Sequence, residues 1–312
     1  MKIKRMFALV ICMILLFSGC AVKEENLAKI ANKTAKVLMD NTKSSNGEWI
    51  AFGLARWDGE VPQDWFAEYY ANVEQEVAAC AGVLHDRKYT EYSRTILALT
   101  AMGKDPANAA GYNLLLPLAD FDQTVFQGVN GAVFALLALD SGNYEIPLNP
   151  AVNTQATREM YVDYILNAQM PEGGWSLSGD EVEVDLTAMT LQALAKYRNR
   201  EDVEVAIEKG LAVLSTMQNE NGRFTAFQAE SSESIAQTIV ALTELGIAWD
   251  DPRFVKNGNT LVDALLEFRQ KDGGFAHLLD GNTDLLATVQ AFYAMVALER
   301  AAQGEASLYT IK

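Results

Sequence analysis

Three short turns recur along this chain and set what it can fold into. Pro171-Glu172-Gly173-Gly174-Trp175, Glu220-Asn221-Gly222-Arg223-Phe224 and Lys271-Asp272-Gly273-Gly274-Phe275 stand 49 and 51 residues apart. A glutamine precedes each one (Gln169, Gln218, Gln270) at the close of an apolar helical stretch. A second stretch, rich in small apolar residues, follows each turn at 186–197, 234–245 and 286–298, with Ala193, Ala241 and Ala294 in register. Two more stretches of this second kind lie upstream at 93–102 and 131–139, aligned through Ala98 and Ala135.

A helix that is apolar on nearly every side must be covered on nearly every side, whereas an amphipathic helix needs cover on one. A repeat of one amphipathic helix, one turn and one apolar helix therefore predicts an inner layer wrapped by an outer one. Closed on itself, that arrangement is an all-α fold, an α/α toroid. The turn aromatics Trp175, Phe224 and Phe275 are expected to pack between the layers. Strand signals are sparse, and no Gly-rich nucleotide loop follows an alternating apolar segment.

The N-terminus obeys different rules. Lys2, Lys4 and Arg5 precede an unbroken apolar run, Met6 to Phe17, and Ser18-Gly19-Cys20 follow at once. Such a run is too short to cross a bilayer of roughly 30 Å as a helix, so it reads as the core of an export signal. Small residues before a cysteine resemble a bacterial lipoprotein signal, with Cys20 as the acylation site. The expected organisation is a signal peptide at 1–19, a polar tether at 20–46, with helical spacing from Leu27 to Met39 within it, and the toroid at 47–312. The expected location is extracytoplasmic, with the lipid on Cys20 as the attachment to the cell membrane.

Composition narrows the partners. The chain carries a formal charge of −16, which becomes −19 once the leader takes Lys2, Lys4 and Arg5 with it. That balance argues against nucleic acid and against anionic lipid surfaces. With Cys12 in the leader and Cys20 lipidated, Cys80 is the remaining thiol, read as a small buried core residue; two histidines make a Cys/His metal site improbable. No metal and no cofactor is expected.

These turns, of which Gln169-x3-Gly173-Gly174-Trp175 is the fullest form, resemble the Gln-x3-Gly-Gly-(Trp/Phe) of the prenyltransferase and squalene-oxidase repeat of terpenoid cyclases and protein-prenyltransferase β subunits. Tyr89-Thr90-Glu91-Tyr92-Ser93-Arg94, Gly111-Tyr112-Asn113-Leu114-Leu115, Asn257-Gly258-Asn259-Thr260-Leu261 and Ser307-Leu308-Tyr309 are similar to Gram-positive surface proteins with such a domain. The resemblance spans roughly 47–312 and implies the fold more than an activity. In that group a small β domain often follows the toroid, as in animal vitamin B12 carriers. A corrinoid-binding half is thus one reading, by analogy alone.

Glu183-Val184-Asp185-Leu186-Thr187-Ala188 resembles the acid motif of class II terpene cyclases, with Asp185 at the proton-donor position and Leu186 where another acid is expected. Asp185 is therefore read either as a general acid acting on an isoprenoid or as the N-cap of its helix. Glu233 at the equivalent place in the next repeat favours the structural role. The zinc-binding Asp-x-Cys of protein prenyltransferases and the Cys-Gly-Glu-Gln of thioester toroids do not occur. The remaining expectation is a ligand site at the rim where inner helices begin, since helix N-termini expose N–H groups and capping residues. Candidates are Tyr89, Tyr92, Arg94, Asp122, Gln127, Asn130, Asp185, Glu233, Gln237, His277, Asp284 and Gln290. The function expected is a surface lipoprotein whose toroid binds a small molecule or a surface protein in its concave mouth without catalysis.

Overall fold

The computed structural model describes residues 26–40, 47–226 and 229–311; Cys20, the leader and the rest of the expected tether lie outside them. Helix α1 spans residues 26–40. It is followed by α2 (Glu48–Arg56), α3 (Gln63–Ala79), α4 (Thr90–Ala101), α5 (Phe121–Thr124), α6 (Val129–Ser141) and α7 (Arg158–Asn167). The chain continues through α8 (Val184–Leu194), α9 (Glu201–Met217), α10 (Ser232–Glu244), α11 (Leu261–Leu266) and α12 (Leu285–Gln303).

Helices α2, α4, α6, α8, α10 and α12 each pack on the next, and α12 packs back on α2, which closes a ring of six. Composition explains why these six are inside. In α6 every residue but Asn130 and Asp140 is buried, so no face is left for solvent. Outer helices show the opposite pattern: α9 buries Val203, Ala206, Ile207, Gly210, Leu211 and Leu214, a single stripe at helical spacing. Helix α12 is long and apolar enough to cross a membrane, but most of it is buried inside the ring.

The recurrent turns join the layers. Trp175, Phe224 and Phe275 are fully buried, as expected, and the Trp175 indole N–H donates to Ile165 O at 2.8 Å. Gln169 Nε2 donates to Gly173 O within its own turn (2.7 Å) and to Ala206 O on the next outer helix (2.9 Å). Gln218 does the same with Gly222 O and Phe254 O. The third turn meets α1 instead: Gly273 O accepts from the buried Thr34 hydroxyl at 2.8 Å, and Lys33 Nζ donates to Lys271 O. Each turn thus docks on the next outer element, and α1 receives the last turn.

That contact moves the boundary of the domain. Ile30, Ala31, Thr34, Ala35 and Leu38 are buried, and Trp65 Nε1 donates to Met39 O at 3.1 Å. The middle of the expected tether is therefore an outer helix of the ring. Two further differences concern α2, an inner helix the turn pattern does not announce, and Cys80. The cysteine is half-buried at the C-terminal end of α3, with its thiol near Val77 O, rather than a core residue. Two short hairpins, β1–β2 (Thr225–Ala226 with Ala229–Glu230) and β3–β4 (Phe275–Ala276 with Thr283–Asp284), lead from the second and third turns to the N-termini of α10 and α12.

Candidate functional site

Because inner and outer helices alternate, all six inner helices start at one rim of the ring and end at the other. The C-terminal end of the bore is covered by residues 305–311. Leu308 and Tyr309 are buried there, and the Tyr309 ring stacks on Phe52 with centroids 5.3 Å apart. Arg56 donates to Leu308 O, Ser307 O and Thr310 O. Glu244, at the end of α10, accepts from the Ser307 hydroxyl (2.7 Å) and Tyr309 N (3.1 Å). Burial pushes the Glu244 carboxyl up to about 7 against these bonds.

The N-terminal mouth and the bore below it hold half of the expected residues. Asp185 and Glu233 each occupy the second position of their helices, α8 and α10. Neither is an N-cap. Ser231 caps α10 by accepting from Ser234 N, and Asp284 caps α12 by accepting from Ala287 N (2.9 Å). At the head of α8 stands Glu183, whose Oε1 holds the preceding loop through Ser176 Oγ and Leu177 N. The cap reading of Asp185 is thereby corrected: at the second position of the helix it accepts no bond from the open N–H groups, and its carboxyl meets the Ser234 hydroxyl of α10 instead. Asp185 Oδ1 is buried and accepts no hydrogen bond from a described residue. Burial raises its carboxyl above the usual range; Glu233 and Glu183 add to the rise, while the Ser234 hydroxyl and His277 oppose it.

Glu233 is buried and paired. His277 Nδ1 lies 2.9 Å from both of its carboxylate oxygens, and the Ser232 hydroxyl is 3.2 Å from Oε2. The β3–β4 hairpin delivers His277, whose carbonyl accepts from Ser232 N. Deeper in the bore, Gln192 Nε2 donates to the Gln237 carbonyl and side-chain oxygens, both at 2.9 Å. Gln237 Nε2 in turn donates to Gln290 Oε1 (3.0 Å) and to the Tyr293 hydroxyl. Gln192 lies seven residues along α8 from Asp185, about 10 Å further down the helix.

Across the mouth, Arg94 on α4 pairs with Glu91 and lies 3.8 Å from Glu48, the buried first residue of α2. Burial raises the Glu48 carboxyl, and Arg94 opposes that rise. Between these two polar groups sits Trp49. Its ring meets Phe134 of α6 edge to face at 5.8 Å and Tyr293 of α12 at 5.9 Å, so aromatic rings span the bore.

Several expected residues do other work. Gln127 Oε1 accepts from Thr90 N and Oγ1, both at 3.2 Å, and so caps α4. Asp122 accepts from the Thr154 hydroxyl on the outer surface. Asn130 is half-buried at the start of α6. Tyr89 and Tyr92 line a separate cleft of about 350 Å³ with Tyr112 and Asp120. Arg94, Asp185, Glu233, Gln237, His277 and Gln290 are brought to the bore; Tyr89, Tyr92, Asp122, Gln127 and Asp284 are not parts of one cluster with them. The sequence reading missed Glu48, Trp49, Gln192 and Tyr293. For Gln192 and Tyr293 a signal existed: each is a hydrogen-bonding side chain inside a stretch that is otherwise nearly all apolar.

Known proteins place this geometry. No curated protein matches the chain. Among solved structures, a protein from Actinoplanes superposes with a TM-score of 0.59 at 12% identity, covering 88% of this chain and 99% of that one. A variant of the type II terpene cyclase MstE from Scytonema, in its apo form, gives 0.63 at 11% identity over 90% and 99%. The unsaturated glucuronyl hydrolase of Bacillus sp. GL1 gives 0.58 at 12% over 91% and 97%. At these identities the likeness is one of fold. The sequence itself matches the prenyltransferase alpha-alpha toroid domain over residues 126–278 and 227–308, more than half of the chain. The closed ring of six inner helices and the turns that dock each outer helix on its neighbour agree with that match, and the chain belongs to the prenyltransferase alpha-alpha toroid family.

Proposed function

We propose that this protein is a non-catalytic binding module, anchored outside the cell membrane by lipid on Cys20, which takes a small ligand at the N-terminal mouth of its toroid. The observation that carries the reading is the buried, unpartnered Oδ1 of Asp185 beside the Glu233–His277 pair. A buried acceptor without a donor costs roughly 1–3 kcal/mol, and a ligand that donates there recovers it. The complementary ligand is therefore donor-rich, a hydroxyl- or ammonium-bearing molecule, seated on the glutamines below. The contacts of Trp49 with Phe134 and Tyr293 in the bore argue against a long isoprenoid there. Native mass spectrometry of protein purified from its own membranes tests this. Wild type is expected to retain a small-molecule adduct that the Asp185→Asn/Glu233→Gln double variant loses. An adduct retained equally by both would remove the mouth from consideration.

A second reading has one observation in its favour. Asp185 does not cap its helix, and burial favours its protonated form, as an acid that protonates an alkene requires. Thr187-Ala188 beside it continue the likeness to a cyclase motif. Against it stand Leu186 in place of a second acid and the aromatic contacts in the bore.

A further inference from the structure

The cleft lined by Tyr89, Tyr92 and Tyr112 lies outside the ring, between the 80–89 and 109–120 loops, and shares no residue with the mouth. At about 350 Å³ it falls at the lower end of small-ligand pockets, which run roughly 300–1,000 Å³. Its shape depends on backbone that an ordinary loop avoids. Ala110 and Gly111 both have positive φ (49° and 86°), and Ala109 and Tyr112 exchange both backbone hydrogen bonds at 2.9 Å around them. This is a two-residue reversal with left-handed central positions. An alanine there costs roughly 1–2 kcal/mol.

The chain contains its own comparison. The same reversal recurs at Asn257-Gly258, where Lys256 and Asn259 exchange bonds at 3.0 and 2.9 Å. In each copy an Asp-Pro pair precedes the reversal, Asp105-Pro106 and Asp251-Pro252, and the aspartate caps a short helical turn. Asparagine, which tolerates the left-handed region, stands in the second copy where Ala110 stands in the first, and Asn259 stands in the place of Tyr112. The turn thus requires neither the alanine nor the tyrosine. Tyr112 is nonetheless laid over Gly82, where a Cβ would come within 2.6 Å of the ring, and its other side stays open, with 37% of the residue exposed.

The polar groups around this ring are arranged for a partner. Asn113 and Asn149 spend their side-chain oxygens on Leu115 N and Ala151 N. Their amide nitrogens, and the hydroxyls of Tyr89 and Tyr112, have no partner among the described residues, whereas the Tyr92 hydroxyl donates to His85 O at 3.3 Å. His85 Nδ1 is engaged by the N–H groups of Arg87 and Lys88 (3.0 and 3.1 Å) and by Asp86 Oδ1 (3.0 Å), which leaves Nε2 as the ring nitrogen open to a ligand. Asp120 adds a carboxylate, one oxygen of which caps α5 through Gln123 N. No lysine or arginine lines the cleft, and Arg87 lies over the Phe126 ring at 4.1 Å.

We infer that this cleft is a binding site for a neutral carbohydrate, whose pyranose C–H face packs on Tyr112 while the amides, phenols, histidine and Asp120 pair its hydroxyls. Aromatic faces with polar tips and a few convergent donors and acceptors suit a ring that is apolar on its faces and hydroxylated at its edge. The missing cations and the two aspartates at the cleft, Asp86 and Asp120, disfavour phosphates and acidic sugars. Saturation-transfer NMR on the full chain, in a detergent without a sugar headgroup, tests this. The probes are glucose, galactose, mannose, N-acetylglucosamine and their disaccharides, with glucuronate and adenosine for contrast. At least one neutral sugar is expected to bind saturably, and Tyr112→Asn, the residue the second copy already uses, is expected to weaken it at least tenfold with an unchanged melting curve. Asn149→Ala provides a second variant with the same expected loss. Absence of saturable binding across the neutral panel, binding indifferent to both variants, or preference for adenosine or glucuronate would each overturn the assignment.

Discussion

Glu244 and Asp185 are both carboxyl groups that burial holds toward protonation, at opposite ends of the bore. For Glu244 the sign of the consequence is definite. Its folded value of about 7 lies above the ordinary 4.5, so the folded state binds the proton more tightly. The stability it contributes is full below the ordinary value and is lost as pH rises through about 7. Glu244→Gln, which keeps an acceptor for Tyr309 N and turns its amide N–H to the Ser307 hydroxyl oxygen, is expected to remove that slope. The variant should gain up to about 3 kcal/mol over wild type at pH 8, and match it near pH 4. Urea melts across that range check it, and a parallel pair of curves would contradict the assignment. Asp185 shows how far sequence reaches at this scale. Its motif marked it as special, but whether it caps depends on whether the helix starts after Glu183 or after Asp185. Two residues decide between an acceptor aimed at its own helix and one buried in the bore, and nothing local settles it.

Among the elements, the turns were the most legible feature, because glycine and a buried aromatic answer to geometry rather than to neighbours. Gly173 and Gly273 adopt φ of 106° and 107°, conformations that side chains rarely enter. Their surroundings differ: a Cβ on Gly173 would come within 2.9 Å of the Lys209 carbonyl, whereas one on Gly273 would meet the flexible Lys33 side chain at 2.7 Å. Both alanine variants should therefore lose stability, and Gly173→Ala should lose about 1 kcal/mol more than Gly273→Ala, since a packed backbone cannot step aside. Thermal unfolding of the two variants measures the difference; equal losses would mean that φ alone governs both. The helical spacing of α1 was legible but its place in the ring was not, and α2 was missed altogether. Residues 26–40 carry enough polar side chains to pass for a tether, and their burial depends on the 271–274 turn more than 230 residues away. Helix α2 has nine residues, and its Gly-x-aromatic, Gly47-Glu48-Trp49, falls at its own first turn rather than in a loop ahead of it as for α8, α10 and α12.

For the whole molecule, the closed ring follows from the repeat, and its asymmetry does not. Residues 305–311 cover one end of the bore, and Asp185, Glu233, His277 and Arg94 gather at the other. Both depend on long-range contacts that leave no periodic trace. Delivery is a separate matter from shape. If the lipid on Cys20 is the attachment, Cys20→Ala should leave the membrane fraction or persist as unprocessed precursor; a mature-sized variant still sedimenting with membranes would refute the anchor. The claim that the toroid binds rather than transforms its ligand is tested most directly by incubating the purified protein with polyprenyl substrates and analysing the products by mass spectrometry. Wild type and Asp185→Asn are both expected to return the substrate unchanged, whereas a cyclised product formed by wild type and lost in Asp185→Asn would make Asp185 a general acid and the protein an enzyme.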